Sequence, residues 1–346
     1  MDLASLAAEK ENRIPKGTIL FMEISPMREK RIGLNFFGGN EMNPIIQVEH
    51  FSKKYGNFTA VDDISFTVGE GSIFAFLGPN GAGKSTTINT LCTILDKTEG
   101  HLIINGHDVS GERDLVRKDI GIVFQDSTLD TKMTVEENLK YHCSFYKVPK
   151  SEVQERIDFA LGLVELTDWK GAIAGSLSGG MKRRAEIARG LVHNPKVLFL
   201  DEPTTGLDPQ TRASVWKYIQ QLQKQKNMTI FLTTHYMDEA EICSKIVIMD
   251  HGKIVASDTP ENLECQYTNT EVNVACTQTE QLESALTQRG VSYNKTGNRM
   301  IFRIKNAPMV LEILFCCKET IIDFEVKKGT LNEVFLAITG KEIREV

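Results

Sequence analysis

Gly78-Pro79-Asn80-Gly81-Ala82-Gly83-Lys84-Ser85 sets glycines, a lysine and a hydroxyl at the spacing G-x-x-x-x-G-K-[ST], between an apolar run and a helical pattern. Glycines let the backbone turn its N–H groups inward around anionic oxygens, and a helix N-terminus adds positive partial charge. Lys84 would then reach β- and γ-phosphates, the Ser85 hydroxyl would ligate Mg2+, and Thr86 would add a donor near the α-phosphate. A glycine-rich turn that only caps a helix is the alternative, and the strand–loop–helix placement argues against it. Downstream, the apolar run Val197-Leu198-Phe199-Leu200 ends in Asp201-Glu202. An aspartate ending a buried strand beside a phosphate loop is placed to hold Mg2+ or its waters, and the adjacent Glu202 to orient the attacking water and accept its proton. Without the loop, the same acidic pair reads as a solvated turn. The chemistry implied is hydrolysis of a nucleoside triphosphate.

The whole chain can supply the scaffold this needs. Its 346 residues suggest two domains. Hydrophobic residues at 41% and charged residues at 25% exclude a fibre or a disordered chain. Forty basic against 46 acidic residues, a net charge of −6, argue against a general nucleic-acid partner. No apolar run approaches the roughly 18 residues that span a bilayer. Seven cysteines, an odd number with no C-x-x-C pair, read as reduced thiols of a cytosolic protein, with Cys316 and Cys317 as core or helix-face thiols.

The positioning elements follow from period. Ile45–Phe51, Ile64–Val68, Ser72–Leu77, Leu102–Asn105, Ile120–Phe124, Lys196–Leu200, Thr229–Thr233 and Ile246–Asp250 read as strands, and Lys84–Leu95 as the helix after the loop. From Gln125 to Ser176 the pattern is helical, with a capping box at Thr134-x-x-Glu137 and a helix Glu152–Val164. Beyond about residue 265 the order becomes strand Glu271–Cys276, helix Glu280–Arg289, strands Val291–Asn294 and Met300–Ile304, helix Pro308–Cys317, strand Ile321–Val326. That is the split βαβ arrangement of a ferredoxin-like domain, here with an appended helix Leu331–Thr339. Residues 1–41 carry no steady period. Gly38-Gly39 can be encoded by a ribosome-binding sequence at workable spacing from the Met42 codon, so Met42 is expected as the start and 1–41 as upstream sequence or a disordered tail.

Leu177-Ser178-Gly179-Gly180-Met181 decides among kinds of NTPase. With the phosphate loop, it resembles the ATP-binding cassette (ABC) family, whose signature is L-S-G-G-Q; the resemblance spans residues 44–264, with the motifs in family order. Tyr55 matches the aromatic that stacks on adenine, Gln125 the Q-loop, Gly206-Leu207-Asp208 the D-loop and His235 the switch histidine. Taken singly, Tyr55 reads equally as a packing aromatic, and Gln125 and His235 as ordinary polar residues. Met181 departs from the family glutamine, which removes one polar contact but keeps the two glycines. The Lys182-Arg183-Arg184 run is expected on a solvated helix face. The stretch Ser178–His193 and the ending Thr330–Gly340 look like the daunorubicin-resistance type of exporter ATPase.

The resemblance implies an α/β P-loop NTPase fold: a mixed-sheet cassette over 42–264, a helical subdomain at about 126–178, and a small α+β accessory domain over 265–346. It implies ATP held by Tyr55, Gly78 to Thr86 and Gln125, and covered by Ser178 and Gly180 of a second copy in a head-to-tail dimer, with Gly179 and Asp208 also among the nucleotide-binding residues. Mg2+ would be held by Ser85, Gln125 and Asp201, and Lys84, Glu202 and His235 would be catalytic. It further implies peripheral attachment to the cytoplasmic face of the membrane through separate permease subunits, driving drug, antibiotic or other hydrophobic efflux. The rival is a soluble cassette ATPase of translation or repair. It fits less well, because this chain has one cassette and no coiled coil between loop and signature. A nucleotide-regulated binding module would not need both Glu202 and His235, and a small-molecule kinase or GTPase would not explain Ser178-Gly-Gly.

Overall fold

In Ile73–Leu77 every residue is buried: Ile73, Ala75 and Leu77 enter one core, Phe74 and Phe76 another. Only a strand covered on both faces accommodates that pattern. The computed structural model describes residues 44–305 and 307–340, so the expectations for 1–41 and for Met42 lie outside the described residues. It places Ile73–Leu77 inside a six-stranded sheet ordered Lys253–Asp258, Lys245–Asp250, Ile73–Leu77, Thr229–Thr233, Val197–Asp201, Ile120–Val123. All neighbours are parallel except the Lys245–Asp250/Lys253–Asp258 hairpin.

One face of this sheet packs against a four-stranded sheet ordered Phe58–Gly69, Pro44–Tyr55, Glu99–Ile104, His107–Asp108. Between them Phe66 meets Phe74, Phe76 and Phe231 at ring-centroid distances of 5.6, 4.9 and 6.2 Å. The other face is covered by helices, among them Val135–Phe145, Val153–Leu163, Gly179–Leu191 and Pro209–Lys226. The expected capping box forms: the Thr134 hydroxyl accepts from the Glu137 N–H at 3.1 Å, and the Glu137 carboxylate accepts from the Thr134 N–H at 2.8 Å.

The third sheet, ordered Tyr293–Thr296, Arg299–Ile304, Thr270–Cys276, Ile321–Lys327, is antiparallel throughout and carries the helices Glu280–Gln288 and Ala307–Cys316 over its own core. This is the ferredoxin-like order expected. Its short edge strand starts two residues later than the sequence suggests. The Val291 N–H is used to close the preceding helix on the Leu286 carbonyl at 3.0 Å, beside Gly290 at φ +66°.

The final helix needs correction. Leu331–Thr339 is not an appendage of the third sheet: Leu331, Val334 and Phe335 are buried in the cassette's core, against the helix Pro260–Tyr267. Among the described residues no helix is long and apolar enough to cross a membrane. All seven cysteines are free; Cys317 is buried and Cys316 sits on an exposed helix face.

Candidate functional site

Four parallel strands deliver the candidate residues at their carboxyl ends, where open α/β sheets bind ligands. Ile73–Leu77 runs into the loop 78–83, Thr229–Thr233 leads to His235, Val197–Asp201 ends at Asp201-Glu202, and Ile120–Val123 leads to Gln125. They open on a cavity of about 1330 Å³ lined by Tyr55, residues 78–86, Gln125, Glu202 and His235.

The loop is shaped by close approach. A Cβ on Gly78 would lie 2.3 Å from the Met249 carbonyl, and one on Gly83 2.7 Å from the Ala60 carbonyl, at φ +105°. Gly83 therefore starts the helix Lys84–Leu91 without a side-chain cap, and the first turn holds no acidic residue. Its first N–H groups and the helix dipole are left for an anion. Lys84 is buried, its Nζ donating to the Gly78 and Pro79 carbonyls at 2.7 and 3.1 Å. Burial lowers its pKa, while the carboxylates of Glu202 and Asp201 oppose that.

Glu202 is the focus of the polar contacts. Gln125 Nε2 donates to its Oε2 at 3.2 Å, the Thr205 hydroxyl at 3.1 Å, and His235 Nδ1 lies 3.5 Å away. The His235 ring is the largest influence holding the Glu202 carboxyl below the usual range, so it is ionised at neutral pH. Its backbone sits at φ +46°, a strained setting for a glutamate, held by N–H bonds to the carbonyl and hydroxyl of Thr233 at 3.2 and 3.0 Å. Asp201 accepts from the Thr233 hydroxyl, and burial raises its pKa. His235 Nε2 is buried without a hydrogen-bond partner among the described residues, on a ring that lines the cavity. An orphan ring nitrogen, uncapped helix N–H groups and a buried lysine fit a bound polyphosphate. Ser85, Gln125 and Asp201 offer a hydroxyl, an amide and a carboxylate, the oxygen donors a hard divalent cation prefers.

Ser178, Gly179, Gly180 and Asp208 are not among the residues lining this cavity. Ser178 and Gly179 are exposed, with the Ser178 hydroxyl accepting from the Met181 N–H at 3.3 Å as the cap of Gly179–Leu191. Asp208 caps Pro209–Lys226, accepting from the Thr211 N–H at 3.0 Å and its hydroxyl at 2.6 Å. The two caps adjoin, since a Cβ on Gly180 would meet Thr211 Cγ2 at 2.3 Å. Met181 is half-buried against the core.

The expected solvated basic run is corrected at Arg183. It is buried, and donates to the carbonyls of Phe124, Asp201, Glu202 and Pro203 while pairing with Glu186 at 3.2 Å. One guanidinium thus ties the signature helix to the strand ends bearing Gln125 and Asp201-Glu202. Sequence reasoning also missed Phe58, Thr205, Phe335 and Leu336 as lining residues. Phe58 had a signal, being paired with Tyr55 across the two-residue Gly56-Asn57 turn. Phe335 and Leu336 had none, because only the tertiary fold brings the final helix back to the cavity.

The ABC transporter family profile matches residues 61–205. The chain is 34% identical over 308 residues to "Nod factor export ATP-binding protein I" of Ralstonia nicotianae, covering 87% of this chain and 96% of that one. It is 33% identical over 308 residues to "Daunorubicin resistance ATP-binding protein DrrA3" of Streptomyces coeruleorubidus, covering 86% and 97%. Among solved structures, a dimeric ATP-binding cassette in a post-hydrolysis state bound to ADP and Pi aligns with TM-score 0.57 and 26% identity, over 62% of this chain and 98% of that one.

Proposed function

Because the chain belongs to the ATP-binding proteins of ABC transporters, we propose that it is the ATP-hydrolysing subunit of an exporter that moves a drug, antibiotic or other hydrophobic compound through separate membrane subunits. One relative is named for Nod factor export and the other for daunorubicin resistance, neither for translation or repair. One observation carries the mechanism: Glu202, His235 and Gln125 converge on the phosphate-loop cavity, while Ser178 stands exposed outside it. A complete site then needs Ser178 and Gly180 from a second copy, head to tail, with Asp208 beside them.

In that site the loop N–H groups and Lys84 hold the phosphates, and Tyr55, exposed at the hairpin tip, stacks on the adenine. Ser85, Gln125 and Asp201 would hold Mg2+, which neutralises phosphate charge. Glu202 orients a water and takes its proton, and its depressed pKa keeps it ready to accept. His235 keeps one ring nitrogen on Glu202 and offers the other to the γ-phosphate. Contacts that exist only with the γ-phosphate let the dimer close on ATP and open after hydrolysis.

Tyr141, Phe145, Phe159, Trp169 and Ile173 leave exposed apolar surface on the helical segment, which supports contact with a permease, and through it the chain would sit peripherally on the cytoplasmic membrane face. The test is Glu202→Gln. It should bind ATP with wild-type affinity, hydrolyse it at least about 100-fold more slowly, and elute as a dimer only with ATP. Wild-type turnover would remove Glu202 from this role. Fractionation with and without a co-expressed permease tests the transporter assignment; an unchanged distribution would count against it.

A further inference from the structure

The strand Ile321–Lys327 is an edge of the third sheet, paired with Thr270–Cys276 on one side only. Its neighbours' inward side chains Val272, Val274, Met300 and Phe302 are fully covered by the overlying helices. The edge strand's are not: Ile322, Phe324 and Val326 are 60%, 55% and 42% exposed. Beside them Leu311 and Phe315, one turn apart on Ala307–Cys316, are each 71% exposed. These residues border a groove of about 1160 Å³ between strand and helix. The sheet is missing one more strand at its edge and one more helix over it.

We propose that a second copy of this chain supplies both, the two Ile321–Lys327 strands pairing antiparallel about a twofold axis centred on Glu325. An edge strand with free backbone groups and an exposed apolar face invites such pairing, and a twofold interface must be self-complementary. The charges choose the register. Centred on Glu325, Asp323 of each copy faces Lys327 of the other, and Phe324 faces Val326, twice each, against one like-charge pair where the two Glu325 side chains meet on the axis. Shifting the centre to Phe324 sets Asp323 against Glu325 twice, two repulsive pairs. Shifting it to Val326 leaves only three strand residues paired. In the favoured register Leu311 and Phe315 of the two copies close over a continuous eight-stranded sheet. A membrane-subunit segment would need no such match between the strand and itself.

This interface does not use the nucleotide site, so Lys84→Ala should leave it intact; its failure and that of the ATPase mechanism are separable. The test is sedimentation velocity of the full chain without nucleotide. Wild type should dimerise with concentration. Asp323→Lys and Lys327→Glu should each weaken the dimer by about tenfold or more, because each sets like charges opposite. An equimolar mixture of the two variants should restore it, since both 323–327 cross-pairs are then opposite in sign, as in the wild type; a folding defect would not be cured by mixing. With Cys265 and Cys316 replaced by serine, Glu325→Cys should form a disulfide-linked dimer. A chain monomeric at all concentrations, variants that mixing does not rescue, or association seen only with ATP or with a permease would each overturn the proposal.

Discussion

Two helices in this molecule have glycine at their starts, and they are built oppositely. Lys84–Leu91 starts from Gly83 with no side-chain cap, under walls supplied by four strand ends. Gly179–Leu191 starts from Ser178, which caps it, on open surface. A helix N-terminus is only a bias toward negative charge; concave walls and a buried counter-ion turn it into a site. On the reading proposed above, one copy would carry a floor for the nucleotide and, elsewhere, a lid for another copy's floor.

Substitutions at the two starts should separate. Lys84→Ala is expected to abolish hydrolysis and to weaken ATP binding by about 100-fold, measured by calorimetry and phosphate release. Ser178→Arg should leave ATP affinity of the dilute chain within about twofold while hydrolysis falls by about 100-fold. Equal losses of binding in both variants would break the contrast. The next effect is structural. Arg183→Met removes the donor shared by four carbonyls and Glu186, and should cost about 3–5 kcal/mol of stability, read by denaturant unfolding.

The smallest effect has an unintuitive sign. Burial holds the Asp201 carboxyl above its usual pKa, so the folded protein keeps that proton more tightly than the unfolded chain. The stabilisation is present in acid and is lost as pH rises through the folded value. At neutral pH the buried charge is a cost. Asp201→Asn should therefore raise Tm by about 2–4 °C at pH 7, with the gain shrinking toward acid pH, while hydrolysis disappears. A lower Tm at pH 7 would show the charge to be better paired than its burial implies.

The floor was legible in sequence because local rules govern it: an apolar run buried on both faces, glycines where a Cβ would strike a carbonyl, an acidic pair after a strand. Arg183 was not. A basic run reads as solvated unless the acceptors are known, and its acceptors Phe124 and Asp201 lie 59 and 18 residues away. The final helix was readable as a helix over Leu331–Thr339, yet its destination depends on Phe335 finding the cassette core rather than the nearer sheet. The long helix Pro209–Lys226 announces its start through Asp208-Pro209, a cap followed by proline, which the D-loop reading passed over.

That returning helix makes the third sheet a detour in the chain. The polypeptide leaves the cassette after Tyr267 and comes back at Leu331, and its two crossings touch: Glu271 pairs with Lys327, and Gly329 presses so closely on Thr268 that a Cβ there would lie 1.9 Å from the threonine hydroxyl. A module whose two stems emerge side by side can be excised, exchanged or circularly rejoined without unpicking the body it grows from. Joining residue 267 to residue 330 through a short glycine linker should leave an ATP-binding cassette with its last helix in place, whereas cutting the chain at residue 265 would strip Phe335 and Leu336 from the nucleotide cavity.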